Sequence, residues 1–88
     1  MTSTPNNNQN LSIDESMADF LTSELKHHEH TIRDVSRWLN RSYSYSYSRL
    51  RGDDSFTLND LETLSKNLGY ANIYALIRAQ EIYAHKYN

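Results

Sequence analysis

An all-α fold of five helices is predicted by three features of the 88-residue sequence. Two glycines and one proline are too few for the tight turns of an all-β chain. A hydroxyl residue with an acid three places on, the reciprocal cap of a helix start, occurs at Ser12/Glu15, Thr31/Asp34 and Thr57/Asp60. Behind each of these pairs, apolar residues recur at the spacing of one helix face.

The length suits one domain with one modest core. Residues 1–11, polar apart from their ends and rich in Asn, Gln, Thr and Ser, are expected to form a disordered tail. The domain then occupies residues 12–88. Its first helix starts after Ser12, carries Ile13, Met17, Phe20, Leu21 and Leu25 on one side, and ends near His27. The second starts after Thr31 with Ile32, Val35, Trp38 and Leu39 as its apolar side. The fourth starts after Thr57; Leu58, Leu61, Leu64 and Leu68 form a stripe, and Gly69 suits the left-handed residue just past a helix end. A fifth runs from about Asn72 to Lys86, with Ile73, Leu76, Ile77, Tyr83 and Tyr87 inward. Tyr74, Ile82 and Tyr83 leave an apolar remainder available to a second subunit.

The third element is the alternating stretch "SYSYSYS", Ser42–Ser48. Alone it reads equally as a strand, a linker or a hydroxyl-coated helix. Between two capped helices a lone strand has no partner, and the chain offers no second strand. Residues 42–51 are therefore expected to be helical despite the weak helix propensity of Ser and Tyr.

Charge is unevenly spread. The whole chain carries −2. Residues 31–52 hold Arg33, Arg37, Arg41, Arg49 and Arg51 against Asp34 alone, a local excess of four positive charges, while ten acids face four cations elsewhere. Such a segment is an electrostatic footprint for an anionic partner, and arginine is the better geometric match to phosphates and base edges.

Other chemistry is thin. Cysteine is absent, which excludes disulfides and thiolates. No nucleophile–base pair, phosphate loop or carboxylate pair is visible, so an enzyme is not expected, and no cofactor is implied. His27 and His30 in "HHEH" have the spacing of metal ligands, but their only distant imidazole partner is His85. A helix C-terminus that favours cationic imidazoles explains the cluster more simply, so no metal is expected. No apolar run approaches the roughly 18 residues of a membrane helix and no signal-peptide pattern opens the chain, which points to a cytoplasmic protein.

The run "TIRDVSRWLNRSYSYSYSRLRGDDSFTLNDLETLSKNLG", Thr31–Gly69, resembles the phage Cro/repressor-like (XRE-type) helix-turn-helix family and covers 39 of the 88 residues. Thr31 and Ser42 match the caps of its second and third helices. Ser36 stands where the family places a small residue, normally Ala, at the helix crossing. Leu39 is its core leucine, and Asn40 replaces the usual turn glycine. "SRLRG", Ser48–Gly52, resembles the end of the recognition helix, and "FTLNDLETLSKNLG", Phe56–Gly69, the fourth helix. The family's buried valine falls on Ser46, or on Tyr47 if the turn is one residue longer. On a helical wheel with Tyr43 at zero and about 100° per residue, Leu50 lies at about 340°, Ser46 at about 300° and Tyr47 at about 40°. With Leu50 inward, Ser44, Tyr45 and Ser48 face solvent in either register, and Arg49 or Arg51 joins them. Tyr43 is placed as readily in the core as on DNA.

The resemblance implies a repressor-like bundle and a sequence-specific DNA-binding transcriptional regulator of phage or prophage type, a repressor. It further implies a homodimer on a double-stranded, two-fold symmetric operator with half-sites about one helical turn apart. The short serines at Ser42, Ser44 and Ser48 let the third helix sit deep in the major groove. Tyr45 and Tyr47 suit phosphate, sugar or thymine methyl, and Arg49 or Arg51 suits guanine. Arg33, at the start of the second helix, and Arg41, in the turn, suit phosphates. With no effector domain visible, control falls to concentration, dimerisation or a protein antagonist. The alternative is a protein-interaction module on the same scaffold, antirepressor- or antitoxin-like.

Overall fold

Four side chains begin four helices. In the computed structural model, which describes residues 11–87 (at Tyr87 the backbone alone), the hydroxyls of Ser12, Thr31, Ser42 and Thr57 each accept the N–H of the residue three places on. They open α1 (Ile13–His27), α2 (Ile32–Leu39), α3 (Tyr43–Leu50) and α4 (Leu58–Asn67); α5 (Ile73–Tyr87) follows. At three starts the acid returns the bond, Glu15, Asp34 and Asp60 each accepting the N–H of their own cap residue. At α3 the third residue is Tyr45, which has no carboxylate to return. The described residues contain no strand, so the fold is all-α with the five helices expected. The expected disorder of the tail falls on residues 1–10, outside the described residues; Leu11 precedes α1 in no helix.

The helix ends share one design. Glu29, Asn40, Gly52 and Gly69 have φ of 61°, 55°, 85° and 88°. Each closes the paired bonds of a left-handed helix stop. Glu29 N–H reaches Lys26 O, and His30 N–H reaches Leu25 O. The same pair recurs at Asn40/Arg41, Gly52/Asp53 and Gly69/Tyr70.

The core gathers Met17, Phe20, Leu21 and Leu25 of α1, Val35 of α2, Leu50 of α3, Leu61, Leu64 and Leu68 in and after α4, and Leu76 of α5. Burying each such side chain fully contributes about 1.5–3 kcal/mol. α1 packs on α3 and α5, α2 on α3 and α4, and α4 on α5. Polar links join the layers: Gln80 Nε2 donates to Ser16 Oγ at 2.7 Å in a buried site, and the Tyr70 hydroxyl donates to Glu24 at 2.6 Å. Burial, and after it Glu24, push the Tyr70 phenol well above its ordinary pKa.

Three apolar expectations are corrected. Ile13 and Leu58 are exposed, at 72% and 73%. Each is the first residue of its helix, and side chains there lean back beyond the helix end, where no turn remains to pack against. Ile77 is also exposed, because the inward side of α5 runs through Ile73, Leu76, Gln80 and Tyr83. Tyr83 is not part of a spare apolar surface; it meets the Phe20 ring edge-on at 5.6 Å. Tyr74 and Ile82 remain exposed.

Candidate nucleic-acid interface

α2 and α3, eight residues each, are joined by residues 40–42 through the left-handed Asn40. Ser46 is completely buried and Leu50 nearly so, whereas Tyr47 is 42% exposed. This selects the register without an inserted turn residue. Where the family resemblance pairs alanine with valine, the crossing here is a hydroxyl pair: Ser36 Oγ donates to Ser46 Oγ at 3.0 Å. Ser36 Oγ also lies 3.1 Å from Ile32 O, and Ser46 Oγ 3.4 Å from Ser42 O, so both hydroxyls are satisfied within the crossing.

The expected outward set divides. Tyr45 and Ser48 are not fully solvent-facing. Tyr45 is half-buried, its hydroxyl donating to the buried Asp60 at 2.5 Å, its ring 4.4 Å from the Arg41 guanidinium and 3.5 Å from that of Arg49. Burial, then the Asp60 carboxylate, raise the Tyr45 phenol above its ordinary value. Arg49 is turned back into the protein: Nε donates to Ser55 O at 3.1 Å and Nη1 to Tyr45 O at 3.2 Å. Ser48 donates to Asp54. The reason is the connection through residues 51–57, which folds back along this side of α3. A wheel of α3 alone carries no trace of it.

The outward side consists of Tyr43, Ser44, Tyr47 and Arg51, flanked by exposed Arg33 of α2 and Arg41 of the turn. Tyr43, 49% exposed, joins this surface although the sequence left its role open. The signal was its i, i+4 spacing to Tyr47. Their rings are nearly parallel, 14° apart with centroids at 6.1 Å. Arg33 stands 5.7 Å from the Tyr43 ring and Arg51 5.5 Å from the Tyr47 ring, giving a column of cation, ring, ring, cation. Arg51 Nη1 donates to Tyr47 Oη at 3.1 Å, and its Nε lies 3.3 Å from Asp53. The Tyr47 hydroxyl, helped by Asp53, raises the Arg51 pKa further. Ser42 spends its hydroxyl on the Tyr45 N–H as the cap of α3.

Not all of the positive charge is available. Arg37 donates to Asp34 at 2.8 Å. The Thr31 N–H, then Arg37, hold the Asp34 carboxyl below its ordinary value. The histidines have other neighbours: His30 meets Trp38 edge-on at 4.8 Å and lies 3.7 Å from Asp34, and His27 meets His28 edge-on at 5.1 Å. Among the described residues no three metal-ligating side chains come together, and no helix is long and apolar enough to cross a membrane. No protein-family model, curated protein or solved structure matches the chain.

Proposed function

We propose that the protein is a sequence-specific DNA-binding transcriptional regulator, a repressor of phage or prophage type, that places α3 in the major groove of an operator. The observation that carries this reading is the outward side of α3. It holds only hydroxyls, tyrosine rings and a guanidinium, with Arg33 and Arg41 beside it, on a helix whose other side is anchored by Ser46 and Leu50. A major groove about 12 Å wide admits a helix carrying such side chains, and each of these groups offers donors to phosphates or base edges. For dimerisation the support is an exposed apolar area away from α3. Leu58, Tyr74 and Ile77 line an open cleft of about 370 Å³ between α4 and α5. A second copy covering that cleft would place two recognition helices about a two-fold axis.

The test is a gel shift of the full chain with genomic fragments at low and moderate salt, together with sedimentation to read the oligomeric state. Retarded fragments that compete better than bulk DNA support the reading; no retardation at low salt rejects it. A second reading, a protein-interaction module of antirepressor or antitoxin type, is favoured by the −2 net charge and by the pairing of Arg37 and Arg51 with acids. It predicts no retardation of any fragment and a complex with a protein partner.

A further inference from the structure

Tyr47 is held more tightly than an exposed tyrosine needs to be. Its ring lies nearly parallel to that of Tyr43, and the Arg51 guanidinium carbon stands 5.5 Å from its centroid, toward its hydroxyl end. Swinging the ring away gives up both contacts, which favours one position of its hydroxyl at the surface. That hydroxyl oxygen accepts from Arg51 Nη1 at 3.1 Å. With the oxygen occupied as acceptor, the phenol proton is left to be donated elsewhere. Arg51 is fixed in turn. Nη1 is engaged on Tyr47 and Nε faces Asp53, so Nη2 belongs to neither contact. A phenol O–H and a guanidinium N–H thus stand side by side in a braced frame.

We infer that Tyr47 and Arg51 act as one unit, a two-donor clamp that takes two neighbouring acceptors on DNA. This rests on the DNA-binding reading above. Two sources present such a pair of acceptors: the O6 and N7 edge of a guanine in the major groove, and two oxygens of one phosphate. Bracing before contact means that little side-chain freedom is lost on binding, which is what makes a preformed clamp more effective than two separate surface groups. Asp53, beside Nε, helps orient the guanidinium and leaves Nη2 for an external acceptor.

A duplex selected from a random pool by the full chain is the starting material. Each guanine is then replaced in turn by 7-deazaguanine, which lacks N7, and by 2-aminopurine, which lacks O6, and each phosphate in turn by a methylphosphonate. Affinity is measured for the wild type, Tyr47→Phe, Arg51→Gln and Arg51→Lys, with melting temperatures to confirm that each variant folds. Tyr47→Phe keeps the ring stack and removes the donor together with the oxygen that holds Arg51 Nη1; it should weaken binding about five- to tenfold. One modified position should penalise the wild type by a similar factor and leave Tyr47→Phe unaffected. A deaza or 2-aminopurine position identifies guanine as the acceptor, and a methylphosphonate position identifies phosphate. Arg51→Lys should lose as much as Arg51→Gln, since lysine has no planar fork. The clamp is rejected if Tyr47→Phe binds like the wild type, if every penalty persists in Tyr47→Phe, or if Arg51→Lys retains full affinity. Should the pool yield no bound duplex at all, the DNA-binding reading fails and the clamp with it; a selected duplex without coupling removes the clamp alone.

Discussion

The Tyr45 hydroxyl donates to the carboxylate of Asp60 at 2.5 Å, while the same Asp60 oxygen accepts the Thr57 N–H at 3.1 Å. One buried carboxylate oxygen therefore closes the capping box of α4 and fastens α3 to it. Among the described residues, α3 is the only helix with a hydroxyl cap whose third residue cannot return a bond to that cap. Its tyrosine instead uses the acid of the next capping box along the chain. The aromatic side chain that looks suited to DNA is thereby committed to holding α3 at a fixed attitude.

Tyr45→Phe removes that bond and leaves the α4 cap intact. A hydrogen bond to a charged acceptor contributes about 1.5–3 kcal/mol, and the half-buried setting puts the expected loss near the lower end. Asp60→Ala removes the cap as well and should cost about 1 kcal/mol more. Urea unfolding of both single variants and the double variant checks this, the double variant costing less than the two losses combined. The Tyr45 phenol is raised above its ordinary value of 10.0. Its contribution is therefore full below about pH 10 and is lost as the pH rises through the higher folded value. The stability gap between wild type and Tyr45→Phe should be constant up to about pH 9 and shrink above about pH 10. A gap that widens there would contradict this account.

The Ser36–Ser46 crossing makes a second prediction. Ser46→Val alone leaves the Ser36 hydroxyl facing a methyl group in a packed site and should destabilise by about 1–2 kcal/mol. Ser36→Ala alone deprives Ser46 of its donor and should cost about 1 kcal/mol. Combining Ser36→Ala with Ser46→Val in one chain would remove the polar pair together and bring the cost close to zero. Thermal unfolding of the three variants checks this, and additive losses would show that the hydroxyl pair is not the coupling element.

These two sites also show which parts of the fold were legible. The caps were readable because they are local: Ser12 with Glu15, Thr31 with Asp34 and Thr57 with Asp60 each lie within one turn. The leucine stripe of α4 was readable except at Leu58, where the helix begins and the periodicity has nothing behind it. Burial of Ser46 was left as one of two registers, because serine carries no hydrophobic signal and only the crossing with Ser36 decides the matter. Gln80 escaped for the same reason, its inward position depending on Ser16 of α1. The outward face of α3 was half legible. A wheel places Ser44 correctly and leaves Arg51 as an alternative to Arg49, but the turning inward of Tyr45 and Arg49 depends on Asp60 and on the Ser55 carbonyl, which no local pattern reveals.

A third prediction concerns helix ends. Glu29 holds φ of 61° at the stop of α1, a conformation that costs a side-chain-bearing residue about 1 kcal/mol or more and costs glycine nothing steric. Glu29→Gly should stabilise the protein by about 0.5–1 kcal/mol, the gain being trimmed by the added freedom of the unfolded chain. Gly52→Ala should do the opposite by more than about 1 kcal/mol. It has φ of 85°, and a Cβ there would come within 3.0 Å of the Glu15 Cα, a backbone atom that cannot step aside. Paired melting curves check both signs, and a stabilising Gly52→Ala would overturn the argument from close approach.

The last prediction separates arginines that build the surface from arginines that use it. Arg49 is spent on the Ser55 and Tyr45 carbonyls and on the Tyr45 ring, and its side chain is only 21% exposed. Arg49→Ala should therefore cost about 1–2 kcal/mol of stability and, in protein shown to be folded, change DNA affinity little. Arg33, Arg41 and Arg51 lie on the outward side. Two or three contacts per subunit let a dimer neutralise about four to six phosphates, for a slope of log K against log salt of about −4 to −5. Arg33→Ala or Arg41→Ala should weaken binding to all sequences alike, lower stability by at most the ~0.5–1 kcal/mol of an exposed cation–ring contact, and make the slope shallower by about 2 for the dimer. Affinity titrations at several salt concentrations, alongside melting curves of each variant, provide both readouts. If Arg49→Ala flattened the slope while Arg33→Ala and Arg41→Ala did not, the surface that meets DNA would have to lie on the Arg49 side of α3.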